Sequence, residues 1–377
     1  MGEHLGLTEL TKTGDGTADG QRPARIQDVA AAAGVSVATV SNVLNRPGRV
    51  TAETSARVLT AVRELDYVAH PGASGLRSGR TRSLGLVVPD IVNSFYARIA
   101  GGAADAAYER GYALTLCHSG DDPQRERAYF DLLADQRTTG VVVVPMAADP
   151  DRLARLRRRG IPLVTTDRTG PVSDGCSVAV DDVHGGRVAV GQLLADRTQQ
   201  TAPSGERADP DTPDDSAAPV REPSVVVVNG SRDIQQCADR YRGAEEAVAS
   251  RLGAHLRELV VPTMTVASGE AAGRELAASP ALPTAAFCTN DYLAVGLIRG
   301  LQAHGVRVPE DVRVAGYGDL EVATLSDLPL TTIRQPVEEL GRTAVDLLLD
   351  EVEAAPGGHA HTSRVFSPTL VVRDSAP

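Results

Sequence analysis

The chain has 377 residues, of which 42% are hydrophobic, so it is long enough to form two or three units with cores of their own. Its net charge of −11 argues against nucleic-acid binding by the whole chain, but the charge is unevenly distributed. Nine arginines and four acidic residues between Arg22 and Arg82 give that stretch +5, which leaves −16 for the remainder. A basic N-terminal module on an acidic body is compatible with DNA binding.

The four cysteines are far apart in sequence and no pair has zinc-ligand or redox spacing, which predicts reduced, mostly buried thiols in a cytoplasmic protein. No metal site, cofactor or catalytic residue is predicted. Residues 1–22 are polar and do not resemble a signal peptide. Apolar runs such as Val141–Val144 and Val225–Val228 have the length of strands, far below that of a membrane span.

Residues 1–22 lack periodicity and are expected to form a disordered arm, and a helix-turn-helix domain is predicted over 23–69. Gly34 should end the first helix, and Ser36 and Thr51 should cap the second and third. The inner face of the third helix is predicted to consist of Val58, Leu59, Val62 and Leu65. Three short helices in about 40 residues are typical of a small module.

The run Ile26 to Asn45, IQDVAAAAGVSVATVSNVLN, pairs two short helices around a turn glycine, and the second helix carries small and polar residues suited to the major groove. Phosphate contacts are expected from Ser36, Thr39, Ser41 and Asn45, and contacts with base edges from Val37, Ala38 and Asn42. The candidate DNA-binding set also includes Ile26, Arg49, Thr51 and Tyr67. The alternative is a structural helical bundle with a polar surface.

A Gly/Ser/Arg-rich hinge is predicted over 70–82, followed by a region over 83–375 in which strands and helices alternate. Such alternation predicts parallel sheets with helices on both faces, and the length predicts two lobes with a ligand cleft between them. The predicted strands are Leu84–Val88, Ala113–Cys117, Val141–Pro145, Leu163–Thr166, Ser177–Val180, Ser224–Val228, Ala285–Cys288 and Val312–Ala315. Residues 197–223 are acidic and Pro-rich, which predicts a disordered insert.

Several motifs resemble the lac-repressor (LacI/GalR) family of bacterial transcription regulators. Besides the helix-turn-helix run they include RVTAETSARVLTAVRELDYV, LRSGRTRSLGLVVPDIVNSFY, VDDVHGG, TNDYLAVG, VRVPEDVRVAGYGD and LPLTTIRQP. Their order and spacing carry the resemblance, which covers residues 24–375 except the insert. It implies an α-helical DNA-binding domain followed by an α/β two-lobed effector domain of periplasmic-binding-protein type. It also implies a homodimer on pseudo-palindromic double-stranded operator DNA, acting as a repressor or, in some members, an activator.

The resemblance further implies that a hinge helix enters the minor groove, where a leucine matching Leu76 wedges between base pairs. The hinge here reads HPGASGL, and Gly72 and Gly75 each cost about 1 kcal/mol of helix stability relative to alanine. Arg77, Arg80 and Arg82 are then alternative backbone contacts. Leu76 as an isolated linker leucine, and the arginines as a solvated charge run, remain open alternatives.

By motif position, the resemblance places the effector site at eight residues of the two lobes. They are Asn93, Phe95, Tyr96, Asp167, Arg168, Arg240, Asn290 and Gln335. Such side chains suit a polyhydroxylated ligand, a sugar or related metabolite. The alternatives are an Asp167–Arg168 salt bridge, a surface charge for Arg240, a helix cap for Asn290 and simple packing for the two aromatics.

Two positions depart from the family pattern. Gly318, in GYGD, stands where a ligand-contacting carboxylate is expected, and Asp319 should point elsewhere. Val143 stands where sugar-binding relatives are polar. An effector less rich in hydroxyls than a simple sugar, or an altered response, is therefore expected.

Two rival functions share parts of this pattern. A solute-binding protein of a transporter would need a signal peptide and no DNA-binding module. A Rossmann-type enzyme would need a GxGxxG turn after a strand, and no GxSxG or HExxH motif occurs either. The chain ends near the strand TLVVRD without a heptad tail, so a dimer is expected rather than a tetramer.

Overall fold

The computed structural model describes residues 22–67, 81–120, 122–145, 150–195, 222–355 and 357–377, and the chain divides into two units, 1–79 and 80–377. Most of the predicted arm, of the hinge and of the insert lies outside the described residues. Within the described part, every helix is too short or too polar to cross a lipid bilayer.

The first unit is a three-helix module. Its helices are α1 (Ile26–Ala33), α2 (Val37–Asn45) and α3 (Ala52–Glu64), with a 3-10 turn over Pro47–Arg49 before α3. Gly34 ends α1 with φ +64°, a left-handed conformation that glycine adopts without steric cost. Ser36 and Thr51 cap α2 and α3 through their hydroxyls, as predicted.

The core of this module is small and aliphatic. The buried residues are Val29, Ala30, Ala33, Val40, Val43, Val58 and Ala61. The prediction for the inner face of α3 is confirmed for Val58, which is buried, and for Val62, which packs against the core. It is wrong for Leu59 and Leu65. These two leucines are 44% and 36% exposed because Ala61 takes the inward position between them.

The second unit consists of two lobes, each built on a parallel sheet. In the first lobe the strands are β1 (Ser83–Val88), β2 (Ala113–His118), β3 (Gly140–Val143), β4 (Leu163–Thr166), β5 (Cys176–Val180) and β11 (Ser363–Phe366). They are ordered β11-β5-β4-β3-β1-β2 and all pair in parallel. The helices of this lobe are α4 (Ser94–Glu109), α5 (Pro123–Asp135), α6 (Pro150–Arg158) and α12 (Val337–Glu353), and a 3-10 turn spans Val172–Asp174.

The second lobe has the parallel order β7-β6-β8-β9. Its strands are β6 (Ser224–Asn229), β7 (His255–Val260), β8 (Ala285–Cys288) and β9 (Arg313–Ala315), and β10 (Thr332–Arg334) pairs antiparallel with β12 (Thr369–Val371). Its helices are α7 (Asp182–Leu194), α8 (Gln235–Ala249), α9 (Val266–Ala277), α10 (Asp291–Gln302) and α11 (Glu321–Leu325). The predicted α/β architecture with parallel sheets is confirmed.

The chain passes between the lobes three times. After β5 it enters α7, which packs on α8; after β10 it returns to α12, which packs on α4; and after β11 it leaves again for β12. The eight strands predicted from apolar runs correspond to β1–β6, β8 and β9, whereas β7, β10 and β11 were missed. The strands β7 and β11 lie at sheet edges, where polar residues such as Arg257 and Glu258 break the apolar pattern that marks a buried strand.

Candidate functional site

The second helix of the small module presents an exposed N-terminal face. Ser36 Oγ accepts a hydrogen bond from Thr39 N at 3.1 Å, which fixes the start of the helix. Val37 is 41% exposed and Ala38 is also exposed, whereas Val40 and Val43 are buried in the core. Val37 and Ala38, two of the three side chains predicted to read base edges, therefore lie on the outer surface, and the aliphatic residues Val40 and Val43 anchor the helix.

The other predicted DNA-binding residues occupy several environments. Thr39 and Thr51 take part in the helix caps, through Ser36 and Thr54 respectively. Ile26 and Tyr67 are half-buried and pack against the helical core. Arg49 is exposed, and Ser41 and Asn42 are half-buried. The Asn45 side chain and the predictions for Leu76, Arg77 and Arg80 fall outside the described residues.

A cavity lies between the two lobes at the carboxyl ends of the strands. Seven of the eight predicted effector residues line it: Asn93, Phe95, Tyr96, Asp167, Arg240, Asn290 and Gln335. Its remaining lining residues are Ile234, Gln236, Cys237, Met264, Tyr317, Gly318 and Leu320. The loops after parallel strands, distant in sequence, meet at this edge and form one polar and aromatic wall.

Arg168 lies outside that cavity. It lines a neighbouring one together with Asp181, Asp239 and Arg242. Asp167, with φ +63°, and Gln236 line both cavities, so Arg168 lies next to the effector cavity, and its contact with the effector stays a prediction.

Asp167 lines the cavity and has one unpaired carboxylate oxygen. Its Oδ2 accepts a hydrogen bond from Gln236 Nε2 at 2.8 Å, whereas its Oδ1 is buried and has no hydrogen-bond partner among the described residues. Burial, reinforced by the nearby carboxylate of Asp182, raises the pKa of Asp167 to about 7. The group can therefore change its protonation state near neutral pH.

Arg240 is the buried cation of the site. Its Nε donates to Asp182 Oδ1 at 2.8 Å, its Nη1 donates to the carbonyl oxygen of Thr289 at 2.8 Å, and its guanidinium carbon lies 3.8 Å from the centroid of the Tyr317 ring. The alternative interpretation as a surface charge is wrong, since Arg240 is only 8% exposed. Because much of its donor capacity is already used within its own lobe, Arg240 shapes the wall and holds Tyr317 as much as it offers a contact.

The two asparagines of the cavity are helix caps. Asn290 Oδ1 accepts from Leu293 N and its Nδ2 donates to the carbonyl oxygen of Met264, so the cap alternative is confirmed together with its place in the wall. Asn93 caps α4 through the amide of Phe95 at 3.0 Å. Phe95 and Tyr96 pack edge to face with ring centroids 5.2 Å apart, giving the first lobe an aromatic wall.

Gly318 lies in the wall where a carboxylate was expected. Its φ is +136°, and a Cβ placed there would lie 3.1 Å from Leu320 Cγ and 3.2 Å from Asp291 Oδ2. Asp319 points elsewhere, as predicted, and pairs with Arg334 and Arg373. The departure thus removes one carboxylate from the cavity, and the backbone here favours glycine.

Val143 does not contribute to this wall. It is buried in the cluster formed on the α5 and α6 side of the first lobe with Val87, Cys117 and Phe130. The expectation that Val143 changes the polarity of the ligand site is therefore wrong, because alternate residues of a strand face opposite sides of its sheet.

Gln236 and Tyr317 are the main lining residues that the sequence analysis missed. Gln236 lies one helical turn before Arg240 on α8, so the same helix face presents both, and the i, i+4 spacing was a usable signal. Tyr317 stands beside Gly318 in the motif already singled out. Nothing in the sequence indicated that Gln236 would hold Asp167, 69 residues away.

Comparison with known proteins was decisive for the family. Residues 25–70 match bacterial regulatory proteins of the lacI family, and residues 220–376 match a periplasmic binding protein-like domain. The chain is 32% identical over 357 residues to the HTH-type transcriptional repressor PurR of Photobacterium profundum, covering 93% of this chain and 98% of that protein. The chain belongs to the LacI family. PurR of Vibrio vulnificus is 30% identical over 356 residues, with the same coverage of both chains.

Solved structures agree with this assignment. The lac repressor dimer bound to operator and the anti-inducer ONPF has a TM-score of 0.77 at 22% identity, over 94% of this chain and 99% of that one. The transcriptional regulator CelR in complex with cellobiose has a TM-score of 0.63 at 28% identity, over 93% and 99%. This LacI-family member is a DNA-binding transcription regulator. Its family consists of regulators rather than enzymes, and its helix-turn-helix separates it from solute-binding proteins.

Proposed function

We propose that this LacI-family member is a cytoplasmic repressor that binds a pseudo-palindromic operator as a homodimer and releases or holds it according to a small-molecule effector. The observation that carries this proposal is the convergence of seven predicted residues on one cavity between the lobes. One of them, Gln335, belongs to the connection between β10 and α12, where the chain crosses from one lobe to the other.

The free polar atoms of the cavity indicate what the effector offers. Asp167 Oδ1 and Gln335 Oε1 are buried acceptors without a partner among the described residues, so a ligand that donates hydrogen bonds would satisfy both. The aromatic rings of Phe95, Tyr96 and Tyr317 suit the flat or apolar face of a ring. We infer a small ring compound with O–H or N–H donors, a sugar or related metabolite.

Two further observations bear on this chemistry. The relative CelR was solved with cellobiose, which favours a carbohydrate. Against a simple sugar, Gly318 removes one carboxylate that would hold a pair of hydroxyls. A ligand with fewer hydroxyls than a free sugar fits both facts.

The three crossings between the lobes supply the mechanism of response. A ligand that bridges Asp167, which follows β4 of the first lobe, and Gln335, at the crossing between β10 and α12, favours one angle between the lobes. In a dimer that angle sets the spacing of the two hinges, and so the affinity for the operator. A coupling free energy of about 1–3 kcal/mol would change operator affinity by about 5- to 150-fold.

DNA recognition is assigned to the exposed face of α2. Val37 and Ala38 are proposed to contact thymine methyl groups and Asn42 to pair with adenine, whereas the hinge leucine Leu76 is proposed to open a base step in the minor groove. The hydroxyls near the start of α2 and the arginines of the module would bind phosphates.

Selection of operator sequences from a random duplex library tests the DNA half of the proposal. A two-fold symmetric motif should be enriched, and Asn42→Ala should weaken binding to it by about 1–3 kcal/mol while leaving binding to unrelated DNA unchanged. Thr60→Ala, on the exposed side of α3, is the matched control and should behave like the parent chain. Failure to enrich any motif would overturn the proposal.

A thermal-shift screen over sugars, polyols and nucleosides tests the effector half. A ligand of the cavity should raise the melting temperature of the parent chain and change its affinity for the selected operator. Gln335→Ala should reduce both effects and leave operator binding without ligand intact. A ligand that stabilises both chains equally binds elsewhere and would contradict the assigned cavity.

A further inference from the structure

We propose that this protein has a site for a divalent transition-metal cation of the Zn²⁺ type, formed by Cys176, His359 and His361. Cys176 is the first residue of β5, and the two histidines lie in the segment between α12 and β11. The site is far from the effector cavity in the fold, because Cys176 lies at the amino end of its strand and the cavity lies at the carboxyl ends.

The distances between the three ligand atoms agree with tetrahedral coordination. Cys176 Sγ lies 3.2 Å from His359 Nε2 and 3.8 Å from His361 Nδ1, and all three ligand atoms lie within 4.8 Å of one another. Bond lengths of about 2.3 Å to sulfur and 2.0–2.1 Å to nitrogen at a tetrahedral angle give an S···N separation of about 3.6 Å. The two observed distances bracket this value, so a metal ion can enter with small side-chain movements.

A fourth ligand is within reach. Glu351, near the end of α12, places its Oε2 3.9 Å from His361 Nδ1, and that oxygen is buried without a hydrogen-bond partner among the described residues. A thiolate and a carboxylate together carry two negative charges, which offset those of the cation. Arg157 lines the same surface cavity, so the cation, the thiolate, the carboxylate and Arg157 together carry one net positive charge.

The ligand set selects the class of metal. A thiolate with two imidazoles suits Zn²⁺, Co²⁺ or Ni²⁺, whereas Ca²⁺ and Mg²⁺ require a cage of oxygen ligands that these residues do not provide. Binding would tie the segment after α12 to the start of β5, where Thr362 N already donates to Cys176 Sγ. Without metal, the same contacts form a thiol–imidazole hydrogen bond, and the experiment must separate the two states.

Metal titration of the full chain tests the proposal. After dialysis against a chelator, Zn²⁺ should bind with a stoichiometry of one and raise the melting temperature. Co²⁺ in its place should show the thiolate-to-metal charge-transfer absorption and the intense visible bands of four-coordinate cobalt. Cys176→Ser should abolish the charge-transfer band, and His359→Ala should weaken binding by at least about tenfold.

His255→Ala is the matched control, since His255 is an exposed histidine of the second lobe paired with Glu222. It should leave Zn²⁺ affinity and the cobalt spectrum unchanged. If Cys176→Ser fails to fold, His361→Ala, at a half-exposed side chain, replaces it, with the weakened affinity as its readout. Equal Zn²⁺ affinity in the parent chain and the folded ligand variants, or a cobalt complex without the thiolate band, would overturn the proposal.

Discussion

Replacing Asp167 by asparagine isolates the free-energy cost of ionising a carboxyl group in the effector cavity. In the folded protein Asp167 is 5% exposed and its pKa is raised to about 7, whereas its ordinary value is 3.8. Between these two pH values the folded state keeps a proton that the unfolded state releases. The stability of the parent chain therefore falls as pH rises from about 4 to about 7 and levels off above it.

The size of the effect follows from the two pKa values. A separation of about 3 pKa units corresponds to about 4 kcal/mol at 1.36 kcal/mol per unit, and about 3 kcal/mol of this accumulates between pH 5 and pH 8. Asparagine has the shape of the protonated acid, can still accept the hydrogen bond from Gln236, and does not ionise. The stability of Asp167→Asn relative to the parent chain should thus increase by about 3 kcal/mol as pH rises from 5 to 8.

Urea unfolding of both chains at several pH values between 5 and 8 measures this difference. Asp239→Asn is the control for removing a carboxylate on the adjacent helix, where the side chain is partly exposed and paired with Arg242. If the two chains differ in free energy of unfolding by the same amount at every pH between 5 and 8, the reasoning is refuted. The same group predicts that an effector donating a hydrogen bond to Asp167 binds more tightly at pH 8 than at pH 6.

Arg240→Ala should lower the free energy of unfolding by about 3–5 kcal/mol, because it leaves the Asp182 carboxylate buried without its partner. Adding Asp182→Asn should restore part of the lost stability in urea titrations. Equal losses of stability in the single and the double variant would contradict the pairing. Gly243→Ala should destabilise the second lobe by about 1–3 kcal/mol, since the added Cβ would clash with the carbonyl oxygen of Val183. An unchanged melting temperature would show that α7 and α8 can move apart without cost. Leu76→Ala should reduce operator binding more than nonspecific DNA binding in titrations at one salt concentration, and equal reductions would contradict a wedge.

The sequence by itself determined the local structure of this protein. Ser36, Thr51 and Gly34 mark helix ends through their own side chains or their own φ angle, so each can be recognised without knowledge of the fold. The buried parallel strands are continuous apolar runs of strand length. The order of the motifs then indicated the family, and with it most of the cavity.

Tertiary structure decided which side chains meet and which way they face. Arg168 follows Asp167 directly but lines a neighbouring cavity, and Val143 faces the core behind the sheet. Leu59 and Leu65 carry an apolar signal on α3, yet the smaller Ala61 is the residue that packs inward. The hydrophobic periodicity of a helix or strand indicates which of its faces is buried. It does not indicate which residues of other elements pack against that face.

Side-chain contacts of the effector cavity and of the proposed metal site join residues far apart in the chain. Arg240 pairs with Asp182 across 58 positions, and Cys176 meets His359 across 183. The second contact exists because β11 returns from the end of the chain to pair with β5, a crossing that local sequence does not encode. Burial then sets the ionisation of groups such as Asp167, since the free energy of a charge depends on the surroundings that the whole fold provides.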